Sequence, residues 1–586
     1  MQRLKKVDGV CRLVAGSILL FFSCGAMLGQ CAADVSGAQP DASQSQQLQI
    51  QQNFDKQDWA EVVRLAETMA ARSADVNFKY GLALAHLGQL PKARAALMAG
   101  ARECRQQKRF DLELAGIAFE EKRYPEASAW LRRGLKLDAN DAYANNFAGT
   151  VFLLMGNMNA ALKFWNRVQK PYVSVMDFEP QLKVQKLILD RAFAFSPAAV
   201  LKEREFETTQ ARLDGLGIFS RYNIALNARA DGRFGAEFHA QERDGFGSGW
   251  AGALVSTFGG AVYGTIYPSY FNIRGSATNL ESLLRWDAQK RRVWASISAP
   301  LNDRPEFRWR LSVDARNENW AIRRSFTGTA PVLGSLNLER QVVAGSLTGI
   351  RSGRLQWSTG AEVSHRTYGD VADGTALTAA LTTNGYELKY LASIGGTVVE
   401  LPERRFSITG AASQELARMW PVGTQVAGAP HVFEKVQGSA TAHWFPQAQG
   451  ETYEVDGRVR AGWTFGSAPF DELYLLGMER DTNLWLRGQI GTRDGKKGSS
   501  PLGSRFFLAN ADFYRRIWGD GLIELRAGPL ADFARVGSPT NGLADGQWLF
   551  DVGAGAKITV LGTSVVLTYG HDLRSGSNAF FGSEMH

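Results

Sequence analysis

Residues 307–316 read FRWRLSVDAR, and this stretch decides the fold class of the C-terminal half. Apolar side chains stand at positions 307, 309, 311, 313 and 315, and Arg, Ser or Asp stands at the positions between them. This two-residue period predicts a β-strand with one apolar and one charged face. The same alternation recurs at 355–363, 452–465 and 550–560, so the chain contains several amphipathic strands of about ten residues.

These strands lie within residues 246–586, where no long apolar run occurs. A membrane barrel needs strands that are apolar toward lipid and polar toward the lumen, with Trp and Tyr near the strand ends. We therefore predict a C-terminal transmembrane antiparallel β-barrel of about 16 strands, at roughly 20–22 residues per strand and turn. A soluble β-sandwich is the alternative, because it would hide the apolar faces equally well.

The C-terminal part of this region carries short motifs in a fixed order. Residues 470–477 read FDELYLLG and precede Leu486-Arg487-Gly488, after which a polar loop leads to a strand with Asp512. Asp532 and Asp551 follow in two later segments. A guanidinium inside a narrow barrel needs such a carboxylate partner, because an unpaired buried charge is costly.

This order resembles the barrel end of the BamA/TamA and two-partner-secretion transporter superfamily, the bacterial surface antigen domain. The resemblance implies that an extracellular loop folds back into the lumen with Leu486, Arg487 and Gly488 at its tip. It also implies that an acidic strand residue holds Arg487, and Asp512 and Asp532 rank ahead of Asp551 as candidates. Gln489 departs from the family pattern, which has an aromatic residue at that position.

A small α+β region is predicted at 181–245, before the barrel. Residues 186–193 predict a strand, and Ser196-Pro197 predicts the start of a helix that continues to about residue 216. Two alternating strands then meet at the turn 230–233.

The order of these elements resembles a POTRA module, the periplasmic domain that precedes barrels of the BamA and TamA kind. The resemblance implies an edge strand that pairs with an extended client chain. The candidate edge residues are Tyr222, Ile224 and Leu226. A linker that only orients its neighbours is the alternative.

Residues 51–172 carry a repeat of 34 residues, with small side chains at some repeated positions and large apolar ones at others. The repeated positions include Gly81, Ala115 and Gly149; Ala93, Ala127 and Ala161; Leu90, Tyr124 and Met158; and, two periods apart, Gly88 and Gly156. The pattern resembles the tetratricopeptide repeat (TPR), with copies at about 74–107, 108–141 and 142–172. The resemblance implies an all-α solenoid whose concave face binds a polypeptide, and a rigid spacer is the alternative.

Residues 1–33 have the order of a secretory signal peptide. Basic residues up to Arg12 precede an uncharged, mostly apolar stretch at 13–29, and small residues follow it. A single helical anchor is the alternative. Residues 34–50 are rich in Ala, Ser and Gln and predict a flexible linker. Three of the four cysteines lie in the signal, so Cys104 is expected to have no disulfide partner in the mature chain.

The overall composition narrows the function. Of the 586 residues, 45% are hydrophobic and 21% are charged, and this ordinary globular composition excludes wholesale disorder. The 66 Lys and Arg against 58 Asp and Glu leave only a small positive charge, which is too diffuse to indicate nucleic-acid binding. No HExxH, CxxC or nucleotide-binding fingerprint occurs, so we predict no catalytic residue, metal or cofactor, and expect a protein that is not an enzyme.

The expected protein is multidomain and lies in the cell outer membrane, with its N-terminal domains in the periplasm. Its partners would be a polypeptide client or a periplasmic protein, together with the lipid bilayer and lipopolysaccharide. The expected role is to insert or export that client. Two other functions stay open at this point: a TPR-barrel exopolysaccharide export porin, and a structural envelope scaffold anchored by the barrel.

Overall fold

The chain divides into two compact units. The first comprises residues up to Val175 with Pro197–Glu203 and Leu226–Gly235, and the second comprises Met176–Ser196, Arg204–Ala225 and the residues from Ala236 onward. The predicted signal peptide at 1–33 lies outside the described residues. The computed structural model describes residues 42–247, 253–254, 257–323, 332–372, 377–423, 426–520, 523–537, 543, 545–560 and 563–585.

The first unit is mainly helical. Its helices are α1 (Ala42–Asp55), α2 (Trp59–Glu67), α3 (Ala74–His86), α4 (Leu90–Glu103), α5 (Lys108–Glu120), α6 (Tyr124–Leu137), α7 (Ala142–Leu154) and α8 (Met158–Trp165). Helices α3, α5 and α7 begin 34 residues apart, so one sequence repeat corresponds to one pair of helices. Ala93, Ala127 and Ala161, in the second helix of each pair, are fully buried. No helix among the described residues is long and apolar enough to span a membrane.

The turn within each helix pair explains the spacing of Gly88 and Gly156. Both residues have a left-handed backbone conformation, with φ of +72° and +77°. A glycine meets no steric penalty there because it has no Cβ. The middle repeat has Lys122 at the equivalent position, with φ of +58°.

The middle repeat also differs at a buried polar position, where Asn77, Asp111 and Asn145 are spaced by 34 residues. The side-chain amide of Asn77 donates to the carbonyl of Arg72 at 3.1 Å, and that of Asn145 donates to the carbonyl of Ala139 at 2.9 Å. Asp111 is 1% exposed, and its carboxylate oxygens accept no hydrogen bond from the described residues. The buried amide donor of the flanking repeats is thus replaced by a carboxyl group.

One expectation for the first unit is corrected. Residues 42–50 of the predicted flexible linker belong to α1, because Ile50 packs in the helical core with Val62 and Leu65 of α2. Cys104 is disulfide-bonded in the full-length chain. Because the other three cysteines all lie in the predicted signal peptide, the expectation of a lone thiol in the mature chain stays a prediction.

A four-stranded sheet follows the helices in the chain. It contains β1 (Tyr172–Glu179), β2 (Ala199–Val200), β3 (Phe219–Ala228) and β4 (Phe234–Glu242) in the order β2-β1-β4-β3, so β3 lies at one edge. Two helices, α9 (Lys186–Ala192) and α10 (Glu203–Leu216), come between β1 and β3 in the chain.

The elements around α9 differ from the sequence prediction. The strand predicted at 186–193 is wrong, because Ile188, Leu189 and Ala192 are buried at the spacing of a helix face. The helix expected from Ser196 begins at Glu203, since Ala199–Val200 pairs with the start of β1 instead.

The second unit contains a closed β-barrel. Among the described residues its sheet has eighteen strands, of which fourteen have eight or more residues, and the predicted number of about 16 lies between these counts. The strands of this unit, including β16 and β19 of a separate two-stranded sheet, are β5 (Thr265–Ile266), β6 (Ser269–Tyr270), β7 (Asn279–Trp286), β8 (Lys290–Leu301), β9 (Arg304–Arg323), β10 (Val332–Ser352), β11 (Leu355–Ala372), β12 (Gly385–Leu401), β13 (Phe406–Pro421), β14 (Val432–Trp444), β15 (Tyr453–Gly466), β16 (Tyr474–Leu475), β17 (Thr492–Arg493), β18 (Lys496–Lys497), β19 (Leu502–Gly503), β20 (Arg505–Gly519), β21 (Ile523–Gly537), β22 (Asp545–Val560), β23 (Thr563–Asp572) and β24 (Asn578–Met585).

The two ends of the barrel differ in their connections. At one end, which we call the short-turn end, two residues join β8 to β9 and β10 to β11. At the other end, the long-loop end, residues 467–504 join β15 to β20, two strands that pair antiparallel with each other.

The two faces of the barrel strands have opposite chemistry, as the alternation predicts. Leu311 and Trp463 point outward and are 55% and 49% exposed, whereas Asp314, Arg460 and Asp551 point inward and are 9%, 9% and 1% exposed. A soluble β-sandwich would bury the apolar face instead, so this arrangement is the reverse of that alternative.

Candidate functional site in the barrel lumen

The connection 467–504 folds into the barrel, and we call it the lumen loop. Its residues contact inward-facing side chains on strands around the barrel, from β7 to β14 and from β20 to β22. Phe470 and Leu486 are 1% and 0% exposed. Phe470 packs against Trp320 and Leu338 of the wall, and Leu486 packs against Leu508.

The tip of the lumen loop is Leu486-Arg487-Gly488. The Arg487 guanidinium donates from Nε to both oxygens of Asp532 at 3.0 Å and from Nη2 to Asp532 Oδ1 at 2.6 Å. It also pairs through Nη1 with Asp512. The backbone N–H of Arg487 donates to Asp532 Oδ2 at 2.7 Å, and the Asp532 side chain is fully buried. One carboxylate therefore fixes both the side chain and the backbone of the tip.

Gly488 brings the tip into direct contact with the barrel wall. Its N–H donates to Asp551, and its carbonyl accepts from the Ser577 hydroxyl at 2.9 Å. A Cβ at Gly488 would lie 2.6 Å from Asp551 Cγ and 2.7 Å from the backbone N of Asp572. Only glycine fits this approach without displacing the wall. The third candidate carboxylate, Asp551, thus contacts the tip through the backbone of Gly488.

The base of the lumen loop carries the opposite charge. Asp471 accepts from Arg366 at 2.8 Å and from the Tyr368 hydroxyl at 2.5 Å. Glu472 lies 2.9 Å from Lys389 and 3.0 Å from Lys435. Arg340 reaches both carboxylates, at 3.2 Å and 3.0 Å, and both are only 3% exposed. Since a buried carboxylate needs cationic partners, these contacts hold the base of the loop against β10 to β14.

A third anchor lies between the base and the tip. Asp481 of the lumen loop pairs with Arg285 at 2.9 Å and with Arg292 at 2.7 Å. Lys497, also in the loop, joins Asp481 at 2.5 Å to Glu318 of the wall at 2.7 Å. Nearby, Glu479 of the loop lies 3.5 Å from Lys290 of β8.

Sequence reasoning named the tip residues but missed the base and the third anchor. Asp471 and Glu472 lie in the FDELYLLG motif that the sequence analysis singled out, so a signal for them was present. The sequence does not distinguish the wall cations that bind the loop from other inward-facing charges. Both occupy the alternate, polar positions of a barrel strand.

A cavity of about 730 Å³ lies in the barrel below the loop, at the short-turn end. Small polar residues such as Thr348 and Ser439 line its wall together with Arg308, and Asp214 of α10 borders it. Helix α10 is held to this end of the barrel by the Glu207–Arg354 ion pair at 2.7 Å. The carbonyl of Leu216 accepts from Arg308 at 3.0 Å.

The candidate edge residues of the small sheet do not present free side chains. Ile224 and Leu226 are 5% and 7% exposed, and the Tyr222 hydroxyl donates to Asp214 at 2.8 Å. Edge strand β3 therefore offers its backbone rather than these side chains.

One group of described residues has the composition of a metal site. His443, Glu454 and Asp456 bring their ligand atoms within 4.8 Å of one another. Glu454 already accepts from Arg526 at 2.6 Å and lies 3.8 Å from Lys557. The charge of this group is thus compensated by neighbouring cations, and we assign no metal to it.

The sequence matches no family model and no curated protein. Among solved structures, the chain is similar to BamA from Haemophilus ducreyi lacking POTRA domains 1–3, at 12% identity and a TM-score of 0.40 over 71% of this chain and 85% of that one. It is similar to CdiB from Escherichia coli, at 14% identity and a TM-score of 0.47 over 71% and 75% of the two chains. It is also similar to CdiB from Acinetobacter baumannii, at 10% identity and a TM-score of 0.42 over 77% and 81%.

Proposed function

We propose that this chain is an outer-membrane protein that inserts or exports a polypeptide client, and that the lumen loop controls the path through its barrel. The observation that carries the proposal is the Arg487 tip, which is locked to Asp532, Asp512 and Asp551 inside a closed barrel. Burying the Arg487 cation carries a desolvation penalty, which its ion pairs with the wall must offset. We expect such a paired but movable cation in a loop that closes the lumen in one state and opens it in another.

The surface of the barrel supports a membrane location. Large apolar side chains such as Val343 and Phe465 are 62% and 56% exposed on the outer face. Trp444 and Trp518 lie near the short-turn end of their strands, and Trp420 and Trp463 lie near the long-loop end. Aromatic residues at two levels around an apolar band are typical of a barrel that crosses a bilayer.

The orientation in the membrane follows from the N-terminal elements of the second unit. Helices α9 and α10 contact the short-turn end, where Arg191 donates to the carbonyl of Asn302 and Glu207 pairs with Arg354. We therefore propose that the short-turn end faces the periplasm, together with the helical repeats and the small sheet. The helical repeats would capture a client or a periplasmic partner, and the edge strand β3 would align an extended client segment.

A passive exopolysaccharide export porin is the main competing function. An open porin needs a continuous aqueous lumen, whereas here the lumen loop crosses the barrel and pairs with its wall at three separate anchors. A scaffold that only anchors the helical repeats would need no such loop, and neither function accounts for the buried Arg487.

The proposal is tested by removing the protein and by releasing the loop. The proteins of the outer-membrane and surface fractions are compared between cells with the wild-type protein, cells without it, and cells with Arg487→Gln. Loss of a small set of barrel or surface proteins in both mutant strains supports the proposal and identifies the client. An unchanged proteome with loss of extracellular polysaccharide contradicts it in favour of the export porin. No change in either supports the scaffold.

Ion conductance in planar bilayers gives an independent measurement. The wild-type protein is expected to show a small, fluctuating conductance, because the loop fills the lumen. Arg487→Gln is expected to raise the mean conductance severalfold. A large and steady conductance of the wild-type protein would contradict a closed lumen.

A further inference from the structure

We infer that the inner wall of β7 to β14, which faces the base and the third anchor of the lumen loop, is a binding site for an acidic polypeptide segment. The loop occupies this site and competes with that segment for it. This inference rests on the proposed function and names the chemistry of the client. It is drawn from the distribution of charge between the loop and the wall.

The wall carries a surplus of positive charge where the loop covers it. The buried ion pairs form two clusters, one at the base and one at the third anchor, and we refer to them together as the network. Together they join eight basic residues of β7 to β14 with five wall carboxylates. The carboxylates are Asp314, Glu318, Glu362, Glu387 and Glu415. The wall alone therefore has about three uncompensated cations in this region, which is unfavourable unless a partner or water solvates them.

The loop supplies the matching negative charge. Its buried members of the network are the carboxylates Asp471, Glu472, Glu479 and Asp481 and the single cation Lys497. These buried loop residues alone have a surplus of three negative charges, which equals the surplus of positive charge on the wall. If the loop moves out, any segment that replaces it must bring comparable negative charge or leave these cations unpaired.

The wall also recognises the backbone of the loop, which points to a polypeptide rather than to another polyanion. The N–H of Arg323 at the end of β9 donates to the carbonyl of Gly498 at 3.1 Å, and the N–H of Phe470 donates to the carbonyl of Leu381, in the connection between β11 and β12, at 2.9 Å. Lys497 pairs with Trp320 of β9 in a parallel register. Such contacts recognise an extended peptide, as when a strand adds to a sheet edge.

The opposite side of the lumen, formed by β20 to β22, carries negative charge, so an acidic segment is favoured on only one side. Asp512, Asp532 and Asp551 on β20 to β22 face the cationic tip of the loop. The lumen is therefore polar across its width, with a cationic wall and an anionic wall. An acidic segment would be held on one side and repelled from the other, which fixes its path.

The test measures binding of a fluorescent polyglutamate peptide of about 20 residues to the full-length protein in lipid nanodiscs. The double variant Asp471→Asn/Glu472→Gln removes two negative charges that hold the loop against the wall, and it leaves the wall cations unchanged. This variant is expected to bind polyglutamate at least tenfold more tightly than the wild type does. Its affinity for polylysine is expected to equal that of the wild type. Adding Lys389→Gln and Lys435→Gln to this variant is expected to abolish the gain.

The matched control is Lys557→Gln on β22, which removes a cation outside the network. Added to the double variant, it is expected to retain the tenfold gain. Folding of each variant is checked by its heat-modifiable migration in electrophoresis. If the double variant does not fold, Asp481→Asn provides the same test at the third anchor.

Equal binding of polyglutamate by all folded variants overturns the inference. A gain for the acidic polysaccharide polygalacturonate without a gain for polyglutamate also overturns it, in favour of a polysaccharide ligand. The proposed function is tested separately by the Arg487→Gln proteome. If the Arg487→Gln cells lose the client but no variant binds polyglutamate more tightly, only the inference that the client segment is acidic is refuted.

Discussion

Carboxyl groups are buried in both units of the chain, but their surroundings are opposite. In the barrel, Asp532 is fully buried and receives three hydrogen bonds from the Arg487 side chain and one from its backbone. In the helical unit, the Asp111 side chain is also buried, with 3.3 Å between Arg133 Nε and Asp111 Oδ1, and among the described residues nothing donates a hydrogen bond to it. Buried charge thus holds the lumen loop in place, whereas in the middle helical repeat it weakens the fold.

The largest effect is expected from Arg487→Gln, which removes the cation shared by Asp532 and Asp512. Breaking a buried ion pair costs about 3–5 kcal/mol, because the remaining carboxylate is left without compensation. The free energy of unfolding of the barrel should fall by this amount in denaturant titrations. Arg458→Gln on β15 is the control, and an equal loss in both variants would refute the role of Arg487.

An effect of opposite sign is expected from Asp111→Asn. Burial raises the pKa of Asp111 to about 6, and the Arg133 guanidinium lowers it only in part. The folded state therefore binds this proton more tightly than the unfolded state does, and stability falls as the pH rises from about 4 to about 6. Asn removes that loss and restores the amide donor of Asn77 and Asn145. The expected gain at pH 7.5 is about 2 kcal/mol, with little change at pH 4.

The measurement for Asp111→Asn is denaturant unfolding of the full chain at the two pH values, followed by the helical circular-dichroism signal. Asp75→Asn is the control, because Lys79 and Arg109 pair with Asp75 and hold its pKa below the usual range. That variant should lose stability at pH 7.5. Equal behaviour of the two variants would contradict the contrast between paired and unpaired carboxylates.

A steric effect at the tip is expected from Gly488→Ala, which tests whether close contact is needed in addition to charge. The added methyl group would meet Asp551 and the backbone of Asp572, and overpacking of this kind costs about 1–3 kcal/mol. Conductance should rise as the tip withdraws. Gly438→Ala is the matched control, because a Cβ there meets nothing within 4 Å. Unchanged conductance in Gly488→Ala would show that the tip tolerates displacement.

The smallest effect is expected from Glu472→Gln at the base of the loop. Lys389 retains Glu362 and Glu415 within 4 Å, and Arg340 retains Asp471. Because the network redistributes its partners, the loss should be about 1 kcal/mol, well below that of Arg487→Gln. Limited proteolysis of residues 467–504 is the readout. A loss as large as that of the tip variant would mean that the base, not the tip, dominates.

The sequence predicted the parts of the molecule that follow local rules. Alternation at 307–316 predicted which face of the barrel is apolar, and the 34-residue period predicted where α3, α5 and α7 begin. The resemblance at Leu486-Arg487-Gly488 named the tip and the carboxylates that the structure places beside it.

The features that sequence reasoning missed depend on contacts between distant residues. Arg285 and Asp481 are 196 positions apart, and no local pattern links them. Residues 186–193 predict a strand, whereas Ile188, Leu189 and Ala192 are buried on one face of a short helix. The burial of Ile50 that orders α1 likewise depends on α2.

The placement of the lumen loop in the chain has a consequence for how the barrel assembles. Its base and third anchor contact wall residues that precede it, as in the pairs Arg366–Asp471 and Arg285–Asp481, whereas its tip contacts Asp532, Asp551 and Ser577, which follow it. In the folded barrel the loop therefore links the strands that precede it to those that follow it. Loop-closure entropy makes long-range pairing slow. Because the lumen loop contacts both halves of the sheet from inside, its position favours bringing the first and last strands together when the barrel closes.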